Sequence, residues 1–279
     1  MHRRAFLSAL AGAAAGAAAL RRAAAAVARE GRPIGVQLYT VRELLARDFE
    51  GTLARVAEIG YREVEFAGYF SRSPAQVRRA LGGAGLDAPG AHVDLDAIGE
   101  GWERTLAAAA EMGHRYLIVP WIPEVQRTPA GYRRLAERFN RAGEQARRAG
   151  IRFGFHNHDY DFAPVGGEVP YDVLLAETDP ELVVQELDLF WIAAGGGDPL
   201  EYFARFPGRF HLVHLKDMDA TPQRRMTDVG QGAIDFPRIL THARQAGIRH
   251  YFVEHDSPAS PLASIRASYE FVRRLEIPA

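Results

Sequence analysis

The chain has 279 residues, is 47% hydrophobic and carries a formal net charge of −1. That length supports a sizeable core and fits one α/β barrel of about 250 residues, and the balanced charge offers no basic field to draw in nucleic acid. With no cysteine in the sequence, a disulfide scaffold and a thiolate metal site are both excluded, so any transition-metal centre must use His, Asp, Glu or water.

Residues 1–28 differ in character from the rest of the chain. They begin "MHRRAFLSALAGAAAGAAAL", with paired Arg3 and Arg4, then Phe6-Leu7, then an Ala/Gly-rich stretch. This resembles a twin-arginine export signal, removed near residues 23–28, and implies a periplasmic or extracellular protein. An alanine-rich amphipathic helix is the alternative, because Arg21 and Arg22 interrupt the stretch. No later run is apolar enough to span a bilayer, and no cysteine is present to carry a lipid, so no stable membrane anchor is expected.

From residue 33 to 279 a short apolar run, a turn and an amphipathic helix repeat. Strands are expected at 34–39, 61–66, 86–93, 115–120, 151–156, 182–188, 209–215 and 249–256. Helices are expected at 49–60, 73–85, 102–113, 128–150, 170–178, 198–208, 235–247 and 261–276, several opened by Ser/Thr-Pro and closed by Gly. Eight strand–helix units imply parallel pairing with right-handed crossovers and a closed (β/α)8 TIM barrel, its site at the C-terminal strand ends. An open doubly wound sheet is the alternative, but "QLYT" after the first strand lacks a glycine fingerprint.

Those strand ends carry polar residues that could not be buried cheaply alone. Gln37, Tyr39, Glu65, His92 and Trp121, from the first four strands, are candidates to bind a small substrate. "IRFGFHNHDYDF" (151–162) ends the fifth strand with His156 and His158, which share a face because strand side chains alternate. Asp188, His214 and Glu254 lie on strands six to eight. With His156 they form a candidate metal set of two imidazoles and two carboxylates, suited to Mn²⁺, Zn²⁺, Fe²⁺ or Co²⁺. One such residue alone would more often cap a helix or satisfy a local hydrogen bond; four successive strands converging carry the reading. Lys216, the only lysine in the chain, is a candidate for site chemistry because lysine, unlike arginine, can give up a proton when buried. The glycine-spaced "DVGQGAIDF" (228–236) either turns backbone amides toward a ligand or only positions the next helix.

The stretches "IGVQLYTVRE", "YREVEFAGY", "GAHV", "FHNHDYDF", "QELDLFW", "FHLVHLKD", "GQGAIDF" and "YFVEHD" resemble the sugar phosphate isomerase/epimerase group of xylose isomerase-like barrels. The resemblance implies a divalent ion, Mn²⁺ foremost with Mg²⁺ among the other options, held by residues of strands five to eight. Asp188, His214 and Glu254 match the family in type, whereas His156 stands where sugar epimerases of this superfamily carry a glutamate that faces the strand-eight glutamate as an opposing acid/base. The implied activity is metal-assisted proton abstraction next to the carbonyl of a keto- or aldo-sugar, with Glu254, His158 and Lys216 as proton-moving candidates. Isomerisation, epimerisation and β-elimination from a keto-glycoside all start this way. A non-catalytic sugar-binding barrel keeping Tyr39, Phe66, Trp121 and Trp191 is a further alternative, and phosphodiester cleavage fits the balanced charge poorly. The expected partner is a small carbohydrate, and a homo-oligomer is compatible with it.

Overall fold

In a computed structural model that describes residues 32–277, eight parallel strands close into one barrel. They are β1 (Gly35–Gln37), β2 (Glu63–Phe66), β3 (Asp87–His92), β4 (Tyr116–Val119), β5 (Arg152–His156), β6 (Val183–Asp188), β7 (Phe210–Leu215) and β8 (His250–Val253). Each pairs with its sequence neighbours, and β1 closes the ring against β8, Val36 opposite Val253. The candidate export signal at 1–28 lies outside the described residues. Among those described, no helix is long and apolar enough to cross a membrane.

The surrounding helices are α1 (Arg42–Arg47), α2 (Phe49–Ile59), α3 (Pro74–Ala84), α4 (Trp102–Met112), α5 (Pro129–Arg148), α6 (Pro170–Glu177), α7 (Leu189–Ala194), α8 (Pro199–Arg205), α9 (Phe236–Leu240), α10 (Ala243–Ala246) and α11 (Pro261–Val272). Local chemistry explains their starts. Ser73 and Gln76 form a reciprocal capping box before Pro74, and Thr128 Oγ1 accepts from the Gly131 amide. The arginine-rich α5 turns Tyr132, Leu135, Phe139 and Ala146 inward. Each large apolar side chain so buried contributes about 1.5–3 kcal/mol.

Several boundaries differ from those expected. The first strand stops at Gln37 because its side-chain carbonyl accepts from the Tyr39 amide at 3.0 Å and starts a 3-10 turn over Leu38–Val41. The helix expected at 235–247 splits in two, with Thr241 Oγ1 taking the Arg238 carbonyl at 2.7 Å in competition with the backbone ladder. After β7 the chain adds a small hairpin, Asp217–Met218 against Met226–Thr227.

Inside the barrel, side chains stack in layers. At the N-terminal floor are Glu63, His211 and His250. Above them Tyr116, Ile118, Val184, Leu212 and Phe252 form an apolar plug. A buried polar layer comes next, and the mouth lies above that.

Candidate active site and metal centre

Strand ends and the first residues beyond them build the mouth. β5 delivers His156 at its last position, and the chain then turns so that His158 faces the same cavity. That turn is fixed from below. The fully buried Asp161 carboxylate accepts from the His158 amide at 2.6 Å and from the Tyr132 hydroxyl of α5. Asp188 ends β6 with its two oxygens in different service. Oδ1 accepts from the Trp191 amide at 2.9 Å and caps α7, while Oδ2 lies 3.2 Å from His156 Nε2 and 3.0 Å from Lys216 Nζ. The helix after Asp188 therefore begins at Leu189, not near residue 198 as the sequence suggests, and capping and site geometry coexist on one carboxylate.

His214 and Glu254 complete the group. His214 Nδ1 lies 2.8 Å from Glu254 Oε2 and 3.6 Å from Asp188 Oδ2. The short contact is off the hydrogen-bond axis, so His214 Nδ1 is buried without a hydrogen-bond partner. Lys216 Nζ reaches three carboxylates, Asp256 at 2.8 Å, Glu254 at 2.9 Å and Asp188 at 3.0 Å.

His156, Asp188, His214 and Glu254 each offer one donor atom within 4.8 Å of the others. Donors bonded at about 2.1 Å to one ion sit roughly 3.0–3.4 Å apart, close to the 2.8–3.6 Å spacings here. Two imidazoles and two carboxylates, with the facing His214 nitrogen unpartnered, fit a divalent transition-metal ion.

Beneath the mouth lies a second polar layer. Gln37 Nε2 donates to Glu65 Oε2 at 2.8 Å. His92 Nε2 lies 2.8 Å from Glu186 Oε2 and 3.3 Å from Glu65 Oε2. Gln37, Glu65 and Glu186 are fully buried.

The protonation states result from this packing. Burial alone would push the Asp188 and Glu254 carboxyls up, but the Lys216 ammonium above all, and the neighbouring histidines, hold both well below the usual carboxylate range. Burial would likewise lower His214 and Lys216. Glu186 and Glu254 raise His214 instead, and Asp188 and Glu254 raise Lys216. Asp188 and Glu254 also pull His158 upward, but more weakly. Burial, then His156 and Lys216, outweigh them and push it down to about 2, toward the neutral imidazole. His92, buried but facing Glu65 and Glu186, rises to about 9.

A cavity of roughly 540 Å³ opens above these groups, with His92, His156, His158, Lys216, Glu254 and Asp256 at its base and Tyr39 and Trp121 on its rim. Tyr39 is 40% and Trp121 50% exposed, their faces backed by Arg42 and Arg127. Asp188 and His214 are fully buried and meet the cavity only through their contacts with His156, Lys216 and Glu254.

Among the candidate substrate binders, Tyr39, His92 and Trp121 line this cavity. Gln37 and Glu65 do not; their bonds to each other and to the inner histidines place them one layer below. Phe66 belongs to the core between strand and helices, while the Trp191 ring lies 5.2 Å from that of His158. The glycine-spaced loop does not offer its amides to a ligand. Gly230, Gly232 and Ile234 all donate to the buried carboxylate of Asp217, at 2.9, 2.9 and 3.1 Å. Glu186, which faces His92 and His214 in the inner polar layer, is the residue that the strand-end reading misses. Its signal was present, since it stands two before Asp188 in "QELD" and shares that face.

Comparison with known proteins agrees with this architecture. Residues 53–275 match the family model described as xylose isomerase-like TIM barrel. An inosose dehydratase of Geobacillus kaustophilus is 26% identical, the match covering 80% of this chain and 86% of that protein. The rhizopine catabolism protein MocC of Rhizobium meliloti is 24% identical over 81% of each chain. A solved sugar phosphate isomerase/epimerase of Parabacteroides distasonis superposes with a TM-score of 0.78 at 27% identity, covering 88% of this chain and 99% of that one. A closed eight-stranded barrel with that match across most of its length makes the protein a member of the xylose isomerase-like TIM barrel family.

Proposed function

We propose that the protein is a metal-dependent enzyme that removes a proton next to the carbonyl of a keto-sugar or related polyhydroxylated ketone, and that the reaction ends in β-elimination. The observation that carries this reading is the convergence of His156, Asp188, His214 and Glu254 beside Lys216, with His156, Glu254 and Lys216 opening into one cavity. A divalent ion held by the first four would supply Lewis-acid stabilisation of the negative charge that develops as the proton leaves.

The chain's own groups divide the remaining work. Glu254 and His158 both line the cavity, where either can reach a substrate proton and accept it. Lys216 is held charged beside them and can stabilise an oxyanion or give a proton to a departing oxygen. Tyr39 and Trp121 offer flat apolar faces to a sugar ring. Epimerisation by two opposed groups needs one of them to start as an acid. Here the β5 side carries the imidazoles of His156 and His158 in place of a second carboxylate acid, which favours elimination, as does the name dehydratase borne by the Geobacillus relative. One-base isomerisation is the second reading, supported by the 27% identical isomerase/epimerase structure.

The test is proton exchange. The mature enzyme, with Mn²⁺ and a panel of keto-sugars, keto-cyclitols and keto-glycosides in D₂O, is expected to exchange the proton next to the carbonyl and to release water or an alcohol. Sugar binding without exchange in any of them would make the protein a binding barrel instead. The Arg3–Arg4 pair supports export by the twin-arginine route, checked by the N-terminal mass of the secreted chain.

A further inference from the structure

The two ring nitrogens of His214 face different layers. Nε2 lies 2.8 Å from Glu65 Oε2 and 3.3 Å from Glu186 Oε1. Nδ1 faces the mouth, 2.8 Å from Glu254 Oε2. A neutral imidazole carries one N–H and one lone pair, and the partner of the first decides where the second points.

The inner layer is built to take N–H groups. Glu65 Oε2 already accepts from the Gln37 amide, which can only donate there. His92 Nε2 donates to Glu186 Oε2 at 2.8 Å. Gly90 of β3 makes room for this arrangement: a Cβ there would stand 2.6 Å from Glu65 Oε1. Neither carboxylate lines the cavity.

Resting on the metal-dependent function, we propose that Glu65, through its hydrogen bond, and Glu186, through its charge 3.3 Å away, are positioning residues that hold His214 with its proton on Nε2, so that Nδ1 is the atom presented to the metal beside Asp188 and Glu254. The competing arrangement is an ion inside the inner layer itself, whose Glu65, His92, Glu186 and His214 donors also lie within 4.8 Å of one another. That arrangement would strip His92 and His214 of the N–H groups now shared with the carboxylates and leave the Gln37 donor facing a cation.

Calorimetric titration with Mn²⁺ alone separates the possibilities. The wild-type chain is expected to bind one ion. Glu65→Gln and Glu186→Gln are expected to bind one ion about 10–100-fold more weakly. An independent measurement on the wild-type protein loaded with diamagnetic Zn²⁺, by long-range ¹H–¹⁵N NMR of the imidazoles, is expected to find the His214 proton on Nε2 and the metal on Nδ1; it decides the matter if a variant fails to fold. Unchanged affinity in both variants, metal on Nε2, or a second ion lost with Glu65→Gln would overturn this inference while leaving the metal-dependent function standing. A wild-type chain that takes no ion overturns both.

Discussion

At the floor of the barrel His250 Nδ1 lies 2.8 Å from Glu63 Oε2, the same separation as His214 Nδ1 from Glu254 Oε2 at the mouth. The residue types match, but their surroundings do not. Floor groups have private partners. Glu63 Oε1 faces Arg115 at 3.7 Å, and the Tyr116 ring packs edge-on against His211 and His250. Burial, with Arg249 and Arg152 nearby, pushes His211 down to about 3 and keeps it neutral. Among the described residues, buried side-chain atoms without a hydrogen-bond partner include His214 Nδ1, His156 Nδ1 and Glu186 Oε1, and none belongs to Glu63, His211 or His250. Convergence and unspent bonding capacity, rather than histidine beside glutamate, distinguish a site from a plug.

The sharpest way to break this contrast is to neutralise one carboxylate at each end. Glu254→Gln is expected to lower kcat on the order of 10³-fold or more, because it removes a proton acceptor and a metal donor together. If turnover survives, the mouth is no more catalytic than the floor.

A second experiment concerns the scaffold under the mouth. Burial raises the Asp161 carboxyl from 3.8 to about 7. The folded chain therefore holds a proton that the unfolded chain has released, and stability falls as pH rises through that window, by on the order of 1 kcal/mol per pH unit. Below about pH 4 both states are protonated and the effect vanishes. Asp161→Asn keeps an acceptor for the His158 amide and is expected to flatten the melting curve's pH dependence between about 5 and 7; an unchanged slope would mean Asp161 is not its source.

The smallest effect is reserved for the floor. Glu63→Gln weakens the bond to His250 and is expected to cost about 1–3 kcal/mol of stability in denaturant unfolding, with kcat/KM unaltered. A kinetic defect as large as that of Glu254→Gln would erase the distinction between the two ends.

Much of this was legible in the residues. Strand–helix alternation and Ser/Thr-Pro starts located the barrel, because local periodicity and capping chemistry are written within a few positions. Strand ends located His156, Asp188, His214, Glu254 and Lys216. What escaped depends on depth. Gln37 and Glu65 sit at strand ends like true cavity residues, yet barrel closure puts them below the mouth, and a one-dimensional pattern carries no measure of height along the axis. Asp217 escaped as a clamp because its partners, thirteen to seventeen positions on, are backbone amides without side-chain identity.

The divided service of Asp188 has an optical consequence. The oxygen that caps α7 is bonded to the amide of Trp191, and the indole of that residue lies 5.6 Å from the Lys216 ammonium. Any guest that redistributes charge on the second oxygen is thus wired to a fluorophore, and the colour and yield of that emission offer a reagent-free gauge of occupancy.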